Sequence, residues 1–292
     1  MPRAALLFLY LALALSLLVA ACADWGVDGM NRLEAQYPSG GGTDTLDSAS
    51  EDVAGVDIGE VTGEGTGGTW LMRMQLTAGM KVFADPSDMV LTNLFLVTIP
   101  EDGVVAALTF CDQLTEVNLP EGMGETEQPA ATRAAIGAIP IEVDLDAEGV
   151  PEAQEIAWTW GIKDMEDPFE DKIPEGPDDP QVWDQDDDGH PGVTVHVFSP
   201  EGDRYMVRRA IWSFDAGAMS EDESWLYGAM TFTIDEGAVG ASSAILETVS
   251  EIVPSAENNI WHMRKVAGIG EDLEWDCARL IDEYEGVFKD AP

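Results

Sequence analysis

Residues 70–76 read Trp70-Leu71-Met72-Arg73-Met74-Gln75-Leu76, and this stretch decides the fold class. Successive side chains of an extended strand point to opposite faces, so Trp70, Met72, Met74 and Leu76 share one face and Arg73 and Gln75 the other. The same alternation recurs along the chain. Met89–Ile99 and Val104–Cys111 flank Pro100-Glu101-Asp102-Gly103, a strong hairpin turn signal. Further strand candidates are Ile136–Leu145, Glu155–Ile162, Val193–Phe198, Tyr205–Phe214, Ser224–Ile234 and Ile260–Val266. In Ile156-Ala157-Trp158-Thr159-Trp160-Gly161-Ile162 large residues alternate with small ones, as on a curved sheet with one tightly packed face.

Helical periodicity is expected in two places. Ala241–Ile252 suits a short helix or a strand. The clearer case spans about 272–288, where Leu273, Cys277, Leu280, Ile281, Tyr284 and Phe288 form one stripe and Glu271 and Asp272 suit the helix dipole. Cys277 lies on that stripe, where the helix should dock. Many short strands and one terminal helix predict a mainly β protein, either an antiparallel barrel or a two-sheet sandwich with a C-terminal helix. In layout, a helix after the last strand resembles a lipocalin-type barrel, although no lipocalin signature motif is present. That resemblance implies a carrier of an apolar small molecule.

Composition narrows the partners. Fifty-six acidic residues face fourteen basic ones, a net charge of −42 over 292 residues. Such a surface argues against nucleic acid and against adhesion to anionic headgroups. It fits a surface adapted to salty water or a protein that collects divalent cations, and the second reading requires a local motif.

The chain begins MPRAALLFLYLALALSLLVAAC. A basic start, an apolar run from Ala4 to Ala21 and a small-residue exit are the parts of a secretory signal. Val19-Ala20-Ala21-Cys22 resembles the bacterial lipobox, which implies cleavage before a lipidated Cys22 and membrane attachment through that lipid. Residues 1–21 then form the signal peptide. Ala23 in place of Asp favours the outer membrane, by resemblance to enterobacterial sorting, on its periplasmic or surface face. Residues 22–67 are acidic and Gly-rich and bury too little apolar surface to offset ordering entropy, so they are expected to form a disordered tether. The β-domain then occupies 68–292.

Setting Cys22 aside leaves Cys111 and Cys277. Two further cysteines in an exported chain suggest one disulfide, the alternative being two buried free thiols. Paired, they would clip a strand end to the C-terminal segment and close a loop worth roughly 4–5 kcal/mol in the chain-entropy model.

The local cation motif lies in the acidic loop 163–192, which ends Trp183-Asp184-Gln185-Asp186-Asp187-Asp188-Gly189-His190-Pro191-Gly192. In D-x-D-x-D-G, alternate carboxylates converge when the chain curls, and Gly supplies the sharp turn. Three carboxylates so placed repel one another without a cation. The segment resembles the calcium loops of EF-hands and of thrombospondin type 3 repeats. That resemblance implies side-chain oxygens from Asp184, Asp186 and Asp188 and the backbone oxygen of His190. The twelfth position is Val195, where an EF-hand has its bidentate Glu, and Pro191 onward reads as a turn entering a strand. A further ligand would come from Asp179 or Asp203, and the calcium site would be weak, on the order of 10⁻⁴–10⁻³ M. The alternative is a solvated acidic turn. D-x-D-x-D-G-x-P-G-V-T-V is also similar to an element of uncharacterised acidic lipoproteins from myxobacteria and related marine bacteria. That resemblance spans Trp183 to Phe214 and implies lineage rather than activity.

No catalytic constellation stands out. His190, His196 and His262 are the three histidines, and no H-x-H or H-E-x-x-H spacing links them. No G-x-S-x-G is present, and Ser242-Ser243 has no supporting pattern. Carboxylates are too numerous for spacing to single out a glycosidase pair. Trp70, Trp158, Trp160, Trp212 and Trp225 could line a ligand pocket, but at strand spacing they read first as core packing. The expectation is a non-enzymatic, calcium-braced module that binds an unspecified small-molecule or protein ligand. The alternatives are the apolar carrier and a hydrolase with an unidentified carboxylate site.

Overall fold

Strands dominate because apolar residues alternate with polar ones over most of the chain, and the longer strands bury one face against a second layer. The computed structural model describes residues 65–81, 87–119, 125–271 and 275–292. The expected signal segment, Cys22 and residues 22–64 of the expected tether lie outside the described residues.

The chain runs β1 (Gly68–Lys81), β2 (Ser87–Ile99), β3 (Val105–Val117), β4 (Thr126–Glu127), α1 (Ala130–Gly137), β5 (Ile141–Asp144), β6 (Gln154–Trp160) and β7 (Val193–Phe198). It continues through β8 (Glu201–Phe214), β9 (Ala218–Met219), β10 (Trp225–Ala241), β11 (Glu251–Pro254), β12 (Ile260–Ala267) and α2 (Cys277–Val287). All named pairings are antiparallel, in the order β4-β7-β8-β10-β12-β1-β2-β3-β5, with β11 on β1, β6 on β8 and β9 on β10. This path begins at β4 and ends at β5 without closing. The barrel and its lipocalin-like layout are therefore corrected to an open, two-layer arrangement.

Strand β10 makes the corner between the layers. Its first residues, Trp225–Ala229, pair with β12, and from Met230 onward it pairs with β8. The layers face each other across a filled aromatic core. Phe95 of β2 lies 5.8 Å from Trp212 of β8 and 6.0 Å from Trp158 of β6, and Trp158 packs on Trp160 at 4.9 Å. Such ring pairs each contribute about 0.5–1.5 kcal/mol beyond the area they bury.

A second cluster lies on the outer face of β1–β3 and β12. Leu71, Leu94, Cys111 and Val266 meet Leu280, Val287 and Phe288 of α2 and its flank. Arg73 of β1 lies over the Phe288 ring at 5.0 Å. Asp276 caps α2 by accepting from the Arg279 N–H at 2.8 Å, which satisfies one orphan donor of the first turn. Cys111 and Cys277 form a disulfide with Cα atoms 5.0 Å apart.

Other expectations need correction. The run Ile136–Leu145 is not one strand: residues 130–137 form α1, and only Ile141–Asp144 is extended. Pro140 separates the two, because the residue before a proline is pushed out of the helical region. Cys111 does not end its strand. Leu94 pairs with Asp112 and Phe95 with Phe110, leaving Cys111 as the extra residue of a bulge inside β3. The segment 241–252 holds a 3-10 turn at Ala244–Glu247 and the start of β11. The terminal helix begins at Cys277, while 272–274 lie outside the described residues.

Candidate metal centre

The acidic loop leaves β6 and returns as β7, and both its ends are tied to the sandwich. The Trp183 N–H donates to the Gly161 carbonyl at 3.2 Å, and the Gly192 N–H donates to the Trp183 carbonyl at 3.0 Å. Gln185 accepts from the Gly161 N–H at 2.7 Å through Oε1. Asp187, Gly189 and Gly192 have φ of 56°, 88° and 87°, left-handed values that reverse the chain tightly. A Cβ at Gly192 would collide with the Met206 backbone carbonyl, so glycine is required there.

Within this frame Asp184, Asp186 and Asp188 converge, each presenting a carboxylate oxygen within 4.8 Å of the others. The group is one that could hold a metal ion. Backbone donors hold its shape. Asp184 accepts from the N–H groups of Asp188 at 3.1 Å and Gly189 at 2.8 Å, and Asp188 accepts from the His190 N–H at 2.8 Å. Asp186 Oδ2 accepts from the Thr194 N–H at 2.9 Å and lies 2.6 Å from Thr132 Oγ1. The Thr194 hydroxyl donates to Asp188 Oδ2 at 2.5 Å. These bonds use only part of the acceptor capacity of three carboxylates. Asp186 Oδ1 is buried and has no hydrogen-bond partner among the described residues.

Thr132 and Thr194 were not among the residues expected here. Thr194 follows the motif directly, but Thr132 lies on α1, 54 residues from Asp186 in sequence. Only docking of α1 against β3 and β7 brings it in. His190 stacks its ring on Tyr205, with centroids 4.0 Å apart. Neither residue expected to complete the site joins the aspartate group. Asp179 Oδ1 caps the Gln181 N–H at 2.9 Å, and Asp203 Oδ1 lies 3.0 Å from His196 Nδ1. As expected, no helix leaves the loop, since β7 begins at Val193.

The other histidines have separate settings. His196 and Asp203 are cross-strand neighbours on the β7–β8 hairpin, which accounts for their pairing. His262 is buried on β12, with Nε2 2.9 Å from the Pro292 carbonyl. Burial holds its pKa below the ordinary imidazole value; the Arg73 charge adds to this and the Pro292 bond opposes it. Comparison of the chain with protein-family models, curated proteins and solved structures finds no match.

Proposed function

We propose that this chain is an exported lipoprotein, attached to the outer membrane through lipid on Cys22, whose β-sandwich is a non-enzymatic module braced by calcium at Asp184, Asp186 and Asp188. The carrying observation is the convergence of three carboxylates beside a buried Asp186 oxygen that has no donor among the described residues. A buried unsatisfied acceptor costs roughly 1–3 kcal/mol, more when charged, and a cation removes that cost. An all-oxygen donor set suits calcium, whereas zinc favours nitrogen and sulfur. The His190 backbone oxygen is the fourth donor of the proposed site, with water completing the shell. Packing of Phe95, Trp158, Trp160 and Trp212 fills the centre of the space between the layers, which supports a sandwich module over a barrel carrier with an open interior.

Thermal melting in calcium and in chelator tests the brace. At 10 mM calcium and the weak affinity expected, the gain is about 1.4–2.7 kcal/mol. The melting temperature should rise by about 3–10 °C. An unchanged midpoint removes the calcium reading. Intact mass of the mature chain tests the anchor, which requires diacylglycerol on Cys22.

A further inference from the structure

A second feature is independent of the acidic loop. Between the two layers lies a slot of about 180 Å³. Met80, Met89 and Leu91 wall it from one sheet and Val197 and Met206 from the other, all of them buried, and exposed Ile245 stands on its rim. Arg204, Arg208 and Glu236 also line this space. Arg208 donates to Glu236 Oε2 from Nη2 at 2.6 Å and from Nε at 2.9 Å. Its Nη1 donates to Gln113 Oε1 at 2.6 Å, and Gln113 donates to Asn93 at 2.7 Å. A buried ion pair contributes little more to stability than apolar residues of equal volume. Packing alone therefore gives no reason for charge at this place. Gln128 also lines the slot, is 1% exposed, and its side-chain oxygen has no hydrogen-bond partner among the described residues.

We propose that this slot binds a small uncharged molecule, with an apolar body about the size of benzene and one hydroxyl that donates to Gln128 Oε1. Size follows from volume, since an apolar cavity of about 150 Å³ accommodates benzene. Neutrality follows from charge. Glu236 pairs with Arg208, the Arg204 guanidinium is spent on the Leu246 and Thr248 carbonyls at 2.8 and 3.0 Å, and a net charge of −42 repels anions. A cation would have to shed its water against apolar walls. The hydroxyl follows from Gln128 Oε1, the one buried side-chain atom of the lining without a partner among the described residues. Three thioethers, from Met80, Met89 and Met206, give walls that adapt to an aromatic ring.

The test is titration of the full chain, carrying ¹³C-methyl methionine, with phenol, toluene and benzoate. Phenol should move the Met80, Met89 and Met206 methyl signals and saturate on the order of 10⁻³ M, as fits a seven-atom ligand. Toluene should bind several-fold more weakly and benzoate not at all. Gln128→Leu should erase the preference for phenol over toluene while retaining toluene binding. Val197→Phe should fill the slot and abolish both; if it does not fold, Gln128→Leu decides. The proposal is overturned if phenol leaves those methyls unmoved, if toluene binds as well as phenol, or if Gln128→Leu keeps the preference. Phenol binding should be the same in calcium and in chelator, so its failure is separable from failure of the metal site.

Discussion

The loop from Lys163 to Gly192 and the helix α2 are both clamped to the same sandwich. Around its aspartates the loop relies on hydrogen bonds that mostly span two to eight residues, such as Asp188 to His190 and Thr194 to Asp186. Helix α2 is held across a sequence separation of 166 residues by a disulfide, and by an apolar stripe against β1–β3. The first attachment is polar and partly exposed, and under the proposed calcium brace its strength depends on the ion it meets. The second buries apolar surface and is covalently closed, so it holds in any medium that leaves the disulfide oxidised. On that proposal one protein carries a conditional clamp and an unconditional one.

Removing the unconditional clamp should have the largest effect. Cys111→Ala with Cys277→Ala should lower stability by about 4–5 kcal/mol in denaturant titration. The calcium response should survive. If it vanishes with the disulfide, the two attachments are one cooperative unit and the contrast fails.

Next comes the conditional clamp. Asp186→Asn should remove the calcium-dependent gain of about 1.4–2.7 kcal/mol. In chelator the same variant should match or exceed the parent, because charge repulsion falls. A calcium response that persists would place the ion elsewhere. Thr132→Val should cost about 1 kcal/mol by removing the hydroxyl beside Asp186 and the Thr194 carbonyl. It should also weaken the calcium response, a coupling that only α1 docking predicts.

The smallest effect expected is on pH dependence beneath α2. His262 has a folded pKa below its ordinary 6.5, with burial as the leading cause. As pH falls, the unfolded chain therefore takes up the proton first. The stability from neutral His262 is complete above 6.5 and declines from there toward the folded pKa. Melting between pH 7.5 and 5 should show this decline in the parent and a flatter curve in His262→Gln. Equal slopes would leave His262 without a part in holding the C-terminal segment.

Most strands were legible because a half-buried strand writes its two faces into alternate residues. Val193–Phe198 is predicted to the residue, and Met89–Ile99 nearly so. Two errors have physical causes. Asp112 and Gln113 look like the polar end of a strand, yet both are buried in β3, where Gln113 bonds Asn93 and Asp112 lies 3.7 Å from Arg133. In α1 only Thr132 and Ile136 are buried, one helical turn apart, so its amphipathic stripe is too narrow to stand out. Its Ala-rich composition was the available signal.

By itself the sequence determined the mainly β character, the acidic aspartate register and the pairing candidates Cys111 and Cys277. Each of these is set by neighbours a few residues apart or by a count. The tertiary structure alone decided that the sheet stays open, that β10 turns the corner, and that Thr132 reaches Asp186. It also decided that Arg208, Glu236 and Gln128 line one slot between the layers. Such features join segments distant in the chain, and local periodicity carries no information about which distant faces will meet.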